Sequence, residues 1–404
     1  MNVLVINSGS SSFKYQLRNM DTQELLCSGL VERIGEAMGR MVHKIAPDTE
    51  RERKITTDRP FPNHVEGMKA VVAAITDEKI GVIKSKSEID AIGHRVLTAG
   101  AAFSESKVVD EHVKQVIRDI FPLSPLHNPA NLAGIETAEE LFPGVPNVAV
   151  FDTEFHQTMP DYAYMYPLPY GLYEKYKIRR YGFHGTSHRY VTRRTAEFMG
   201  KPQDTVNLIT CHLGNGCSIT AVRNGKCVDT SMGTTPQEGL MMGTRCGIID
   251  PAVVPFIMEN EHLDAKQMDT LLNKQSGFKG MCGISDMRDV HAAVAKGDKR
   301  AELALNMFIY HIVKVIGSYF AVLGHVDGLV FTAGIGENDD LARAAICEKL
   351  AEPFGIALDL QANAVRSGEP RYIHGKESRV PVLVVPTNEE LEIAMTTVRL
   401  TAKK

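Results

Sequence analysis

Residues 207–229, NLITCHLGNGCSITAVRNGKCVD, decide the fold. An apolar run, a glycine-rich turn, an alternating run and an Asn-Gly pair predict a strand, a reversal, a second strand and a second reversal. Some 205 positions earlier the chain reads the same way: VLVIN, then SGSSS, then FKYQL, ending at RNMD. In that register Asn7 falls on His212, Gly9 on Gly214, Arg18 on Arg223 and Asn19 on Asn224. A strand pattern returning after so long an interval predicts a duplicated domain rather than a chain of small repeats.

Working outward, KAVVAAITDEKIGVI and NLAGIETAEELF carry helical spacing, while DAIGHRVL and NVAVFDTEF read as strands. The class is therefore α/β. The segment HGTSHRYVTRRTAEFM (184–199) predicts a helix capped near Thr186 or Ser187 and stopped by Gly200 and Pro202. A third glycine turn, FTAGIGEN (331–338), follows the apolar run DGLVF, and VPVLVVPTNEELEIAMTTVRL closes the chain as strand, cap and helix. A length of 404 residues exceeds one hydrophobic core, so two domains of roughly 150 to 250 residues each are expected.

Composition excludes more than it assigns. Apolar residues are 44% and charged residues 23%, the balance of a globular protein. The net charge of −4, with Lys and Arg spread throughout, offers no basic face for nucleic acid. Seven cysteines with no CxxC pair fit a reducing compartment, and VLVIN begins without a basic leader, so a cytoplasmic protein is expected. The run RAELALNMFIYHIVKVIGSYFAVLGH is interrupted by Asn306, His311, Lys314 and Ser318, which predicts a buried helix and no membrane span.

Glycine turns between strands let backbone N–H groups converge on an anion, and three such turns point to a phosphorylated ligand. GxxxxGK[ST] is absent, as are HRD and DFG, so neither a P-loop nor a protein-kinase site is present. Phosphoryl transfer asks for positive charge and positioning around an in-line transition state, together with a divalent metal. Arg95, Arg245 and His184 are candidate sources of that charge. His184 and His188 lie four apart, but Gly185 follows His184 and the HExxH glutamate is missing, so a zinc pair is disfavoured.

The strings NSGSSSFK, FPLSPLHNPANL, FDTEFHQTMP, YGFHGTSHRYV, CHLGNGCS, EGLMMGTR, AGIGEN and PTNEELEIA follow one another in a single order. Together they resemble the acetokinase family of short-chain carboxylate kinases, over residues 2 to about 395. The resemblance implies two duplicated ribonuclease H-like (actin-like ATPase) domains around a cleft: 1–152, completed by the C-terminal helix in 386–404, and 153–385, which would bind ATP. It implies reversible transfer of the ATP γ-phosphoryl group to acetate, giving acetyl phosphate and ADP, and a homodimer formed through the second domain.

Residue by residue, the resemblance implies that Arg95 and Arg245 hold the carboxylate and the transferring phosphoryl, a task suited to guanidinium forks. His184 would steady the pentacoordinate phosphorus. Asp152 matches the residue the family treats as catalytic acid or base. A carboxylate substrate is already ionised near pH 7, however, so ordering the metal's water shell is the preferred role here. Asn7 and Glu389 correspond to ligands of Mg²⁺, with Mn²⁺ as the alternative metal. ATP or ADP would meet Lys14, His212, Leu213, Gly214, Asn215, Gly216, Asp286, Met287, Arg288, Gly334, Ile335, Gly336, Glu337 and Asn338. Substrate would meet Arg95 and His127, with Leu97, Leu126, Phe183 and Pro236 as the apolar wall.

Leu97 is bulkier than the valine usual there, which favours acetate over propionate. Further departures are Thr98, Glu154, Thr234 and Ile248, none at a position with an implied chemical role. Propionate and butyrate kinases are the near alternatives. A chaperone-like ATPase on the same scaffold is the distant one, and it would not need Arg95, Arg245 and His184 together. A sugar or polyphosphate kinase is disfavoured by the apolar wall.

Overall fold

The computed structural model describes residues 1–125 and 127–402, so the expected wall residue Leu126 lies outside the described residues. The chain divides into two compact units, 1–154 with 388–404, and 155–387. These limits stand two residues from those read in the sequence.

In the first unit, strands β1 (Asn2–Ser8), β2 (Ser12–Asn19), β3 (Glu24–Glu32), β4 (Gly39–Ile45), β5 (Arg53–Arg59), β6 (Ala91–Val96), β7 (Lys107–Val108) and β8 (Asn147–Phe151) form one sheet. Its order is β5-β4-β3-β2-β1-β6-β8-β7. In the second unit, β9 (Leu208–Leu213), β10 (Cys217–Arg223), β11 (Lys226–Thr230), β12 (Gly328–Thr332), β13 (Arg371–Tyr372) and β14 (Val382–Val384) form a sheet in the order β11-β10-β9-β12-β14-β13. The series β3-β2-β1-β6-β8 and β11-β10-β9-β12-β14 are the same motif: an antiparallel meander, then two strands parallel to the first. The duplication read from the two hairpins is a duplication of topology, and the fold is a two-domain actin-like one.

Strand β1 shows why a continuous apolar run was needed. Leu4 and Ile6 enter one core with Phe13, Tyr15 and Leu17, while Val3 and Val5 enter another with Val148, Val150, Ile393 and Ala394. Period-two alternation with both faces covered leaves no polar side. The second core includes the C-terminal helix Glu389–Thr401, which ties the end of the chain to its first strand. Gly93 on β6 makes this possible, because a methyl group there would lie 2.3 Å from Thr397 Oγ1. The helix is capped by Asn388, whose side chain accepts from Leu391 N, and Glu389, Glu390 and Glu392 occupy its positive end.

Four sequence readings need correction. The 205-residue register holds for β1 and β9 but slips by one on the returning strand. Ser8 pairs with Phe13 across a four-residue turn, whereas Leu213 pairs with Cys217 across a three-residue turn. Val222, not Arg223, is thus the ladder counterpart of Arg18. The helix at 184–199 starts at Gly185, with His184 as N-cap at φ 56° and no side-chain cap bond; Thr186 and Ser187 already lie inside it. FTAGIGEN forms a short helix, Ala333–Asn338, entered through Ala333 at φ 64°.

The apolar helix Lys299–Leu323 is long and apolar enough to cross a membrane by composition. It buries one stripe, Ala301, Ala304, Phe308, Ile312, Ile316, Tyr319 and Leu323, rather than its whole circumference. Spacing of three and four residues is what a surface helix packed on a core requires.

Candidate active site

Each hairpin turn carries one set of polar groups. In the first unit Asn7 and Lys14 are paired across the ladder beside the turn. A cavity of about 210 Å³ lies there, lined by Asn7, Ser8, Gly9, Ser12, Lys14, Arg95, Leu97, His127 and Asn131. Asn131 holds the floor: its Nδ2 donates to Ser8 O at 2.8 Å and its Oδ1 accepts from Leu97 N at 3.0 Å.

Arg95 leaves the end of β6 a quarter exposed, and its Nη2 donates to Oδ2 of the wholly buried Asp152 at 2.8 Å. Glu389 Oε2 stands 3.9 Å from Arg95 Nε. The Asp152 carboxylate beside Arg95 raises the guanidinium's pKa further. Burial lifts the Glu389 carboxyl to about 7; Arg95 opposes this and Asp152 reinforces it. Glu390 adds to the push from Asp152 and Lys14 to the pull from Arg95, and the Glu389 carboxylate is a hard oxygen donor of the kind divalent cations take. Among the described residues no group of three His, Cys, Asp or Glu could hold a metal by itself.

In the second unit His212 and Ser218 are the paired positions beside the turn. The rings of His184 and His212 stack at 4.1 Å with 21° between planes. His212 Nδ1 lies 2.8 Å from Ser187 Oγ, which is 2.8 Å from Thr387 Oγ1. Gly216 closes the turn. A methyl group there would stand 3.3 Å from Cε1 and Nε2 of His184 and 3.4 Å from Arg245 Nη1. The Nε2 edge of His184 and the Arg245 guanidinium therefore approach one stretch of bare backbone. Arg245 Nη1 also donates to Pro236 O at 3.1 Å, which ties it to the 231–240 loop.

That loop is fixed from behind. Arg180 donates to the carbonyls of Thr230, Ser231 and Met232 and to Glu238 Oε1 at 2.7 Å, and Tyr166 donates to Glu238 Oε2.

A larger cavity of about 830 Å³ adjoins the same turn. It brings together Gly214, Asn215, Asp286, Met287, Arg288, Gly334, Ile335 and Asn338 from the expected nucleotide set. It also includes Gly243, Phe278, His291, Phe308, Asp339 and Arg366, which sequence reasoning missed. Asp286 caps the helix Met287–Ala295, and its bond to Arg288 holds its carboxyl down near 2.

Other expected nucleotide residues do not line this cavity. Leu213 is wholly buried. Gly336 offers its carbonyl to the buried Arg343 at 2.9 Å. Glu337 Oε1 accepts from Ala333 N and Thr387 N. Lys14 belongs to the first unit's cavity.

Of the wall residues, Leu97 is in the first unit, and Phe183 and Pro236 are in the second; Leu97 and Phe183 are buried. The departures have local structural roles. Thr98 Oγ1 accepts from Gly100 N, Glu154 accepts from Ser106, and Thr234 Oγ1 donates to Arg179 O. Ile248 is exposed.

Residues 2–395 match the family model described as the acetokinase family. The acetate kinase of Oleidesulfovibrio alaskensis is 69% identical over 400 residues, 99% of each chain. The crystal structure of Porphyromonas gingivalis acetate kinase superposes with a TM-score of 0.92 at 44% identity, covering 99% of both chains. That of a propionate kinase from Francisella tularensis gives 0.92 at 41% identity, again over 99% of both.

Proposed function

The chain belongs to the acetokinase family, and from that premise we propose that it moves the γ-phosphoryl group of ATP onto acetate, reversibly, giving acetyl phosphate and ADP. The observation that carries this reading is the approach of His184 Nε2 and Arg245 Nη1 to the bare backbone of Gly216, beside a cavity large enough for a nucleotide. Preorganised donors aimed at charge that grows in the transition state supply the largest share of catalysis in phosphoryl transfer.

An acetate oxygen forms the new bond to phosphorus, the bond from phosphorus to the ADP oxygen breaks, and ADP leaves with the electron pair. No proton has to move, because acetate is already ionised. Arg245 and His184 meet the equatorial oxygens. Arg95 receives the acetate carboxylate, and Leu97, Phe183 and Pro236 fit its methyl group. Asp152 is assigned to hold Arg95 in place rather than to order metal-bound water, because it is wholly buried and joined to that arginine. Asn7 and Glu389 would hold Mg²⁺, which would supply neutralisation of phosphate charge when bound. The family's homodimer is carried to the second unit, where Leu303, Tyr310 and Val322 expose apolar surface on the helix Lys299–Leu323; sedimentation should give twice the chain mass.

Hydroxylamine trapping of acyl phosphate, with ATP and Mg²⁺ and each of formate, acetate, propionate and butyrate, tests the reading. Acetate is expected to give the most product. ATP binding with no trapped product from any acid would refute it.

A further inference from the structure

Behind His184 lies a buried chain of hydroxyls and imidazoles that the reaction above does not use. Ser218 Oγ is 2.9 Å from His184 Nδ1 and 2.8 Å from His188 Nε2, and His188 Nδ1 is 2.7 Å from Thr210 Oγ1. Ser218, His188 and Thr210 are wholly buried. Ser218 stands directly across the ladder from His212, whose ring supports that of His184.

A serine hydroxyl has one hydrogen and can accept as well, and the partners of its oxygen here are two imidazole nitrogens, so a hydroxyl that uses its hydrogen donates to one nitrogen and accepts from the other. If Ser218 donates to His184 Nδ1, it accepts from His188 Nε2–H, and His188 Nδ1 accepts from Thr210. His184 then carries its hydrogen on Nε2, the edge that faces Gly216 and Arg245. In the reverse arrangement a neutral His184 turns a lone pair toward Gly216. A phosphoryl oxygen is an acceptor, so with a neutral ring only the first arrangement meets it with a hydrogen bond. His184 itself sits at φ 56° as the N-cap of its helix, with no side-chain cap bond.

We propose that Ser218 is a positioning residue which, braced by His188 and Thr210, holds the His184 ring in place and keeps its hydrogen on Nε2, so that the imidazole donates to the transferring phosphoryl. The proposal rests on the reading of His184 as a phosphoryl ligand, but its structural half can be tested without turnover.

Nitrogen-15 NMR of the full chain labelled at histidine, with the His184 signals assigned through His184→Gln, reads the tautomer directly. A pyrrole-type Nε2 and a pyridine-type Nδ1 are expected, with loss of that preference in Ser218→Ala. An Nδ1–H tautomer in the wild type, or an unchanged tautomer in Ser218→Ala, overturns the proposal. In the acetyl phosphate assay, Ser218→Ala should lower kcat about 10- to 100-fold with KM for acetate and ATP nearly unchanged. Ser218→Thr, which keeps the hydroxyl, should recover most of the loss. A fall confined to KM would equally overturn it. If the wild type made no acetyl phosphate while the NMR result held, the functional reading would fail and the tautomer lock would stand.

Discussion

The two glycine turns are built on one frame and equipped differently. Beside the first, Asn7 faces Lys14 across the ladder, and the neighbouring groups are charged: Arg95, Asp152 and Glu389. Beside the second, His212 faces Ser218, and most of the neighbours are hydroxyls and imidazoles, with Arg245 as the guanidinium. The first turn has four residues and the second three. A duplicated strand-turn-strand therefore fixes where chemistry can be placed, and the side chains on the paired positions one step back from the turn decide which chemistry it is. The charged set suits a carboxylate and a hydrated cation. The second set, under the proposed function, would present hydrogen-bond donors to a phosphoryl group.

The strongest way to break the contrast is to remove the charge that braces the first set. Asp152→Ala strands Arg95 without its closest carboxylate and should cost about 3 kcal/mol, the low end for a broken buried pair because Arg95 keeps some solvent contact. Urea unfolding checks this, and an unchanged midpoint would show that the pair does not hold the first unit together.

Acid provides the next test. Burial lowers the His94 pKa to about 4, against a bond to Asn147 that opposes the shift. Below about pH 6.5 the unfolded chain takes up a proton that the folded chain refuses, so this contribution is complete above pH 6.5 and is lost as pH falls toward 4. The loss should total about 3 kcal/mol. His94→Gln should flatten the slope of urea midpoint against pH in that window.

Smaller effects sharpen the comparison. Leu97→Ala on the first unit should shift kcat/KM toward propionate relative to acetate by about 1 to 3 kcal/mol, measured by trapping with both acids. Gly216→Ala would press a methyl group on His184 and Arg245, whereas Gly9→Ala meets only Ser12. The first should lower kcat about tenfold, as displacement by a few tenths of an ångström does to positioned groups. The second should lower it less. Equal effects would remove the distinction between the turns.

Much of this was legible in the sequence because it is written locally. The strand and turn patterns of VLVINSGSSSFKYQL and NLITCHLGNGCSITAV predicted the hairpins and the duplication, and Asn7, Gly214 and Asn215 fell where turns place them. What was illegible depends on other parts of the chain. The one-residue slip between the hairpins is set by how each turn closes, which glycine content does not reveal. The left-handed backbone of His184 carries no glycine signal and is maintained by tertiary packing. Phe278, Phe308 and Arg366 join the larger cavity from segments far apart in sequence. Gly336 and Glu337 sit in a run whose pattern does not say which of its residues face inward.

Under the proposed function, Arg95 and Arg245 are both indispensable to transfer. Acetyl phosphate formation and ADP binding, measured side by side in Arg95→Ala and Arg245→Ala, test it most directly. Each variant should lose about 10²- to 10³-fold in kcat/KM while still binding ADP; near wild-type transfer by either one would contradict the claim.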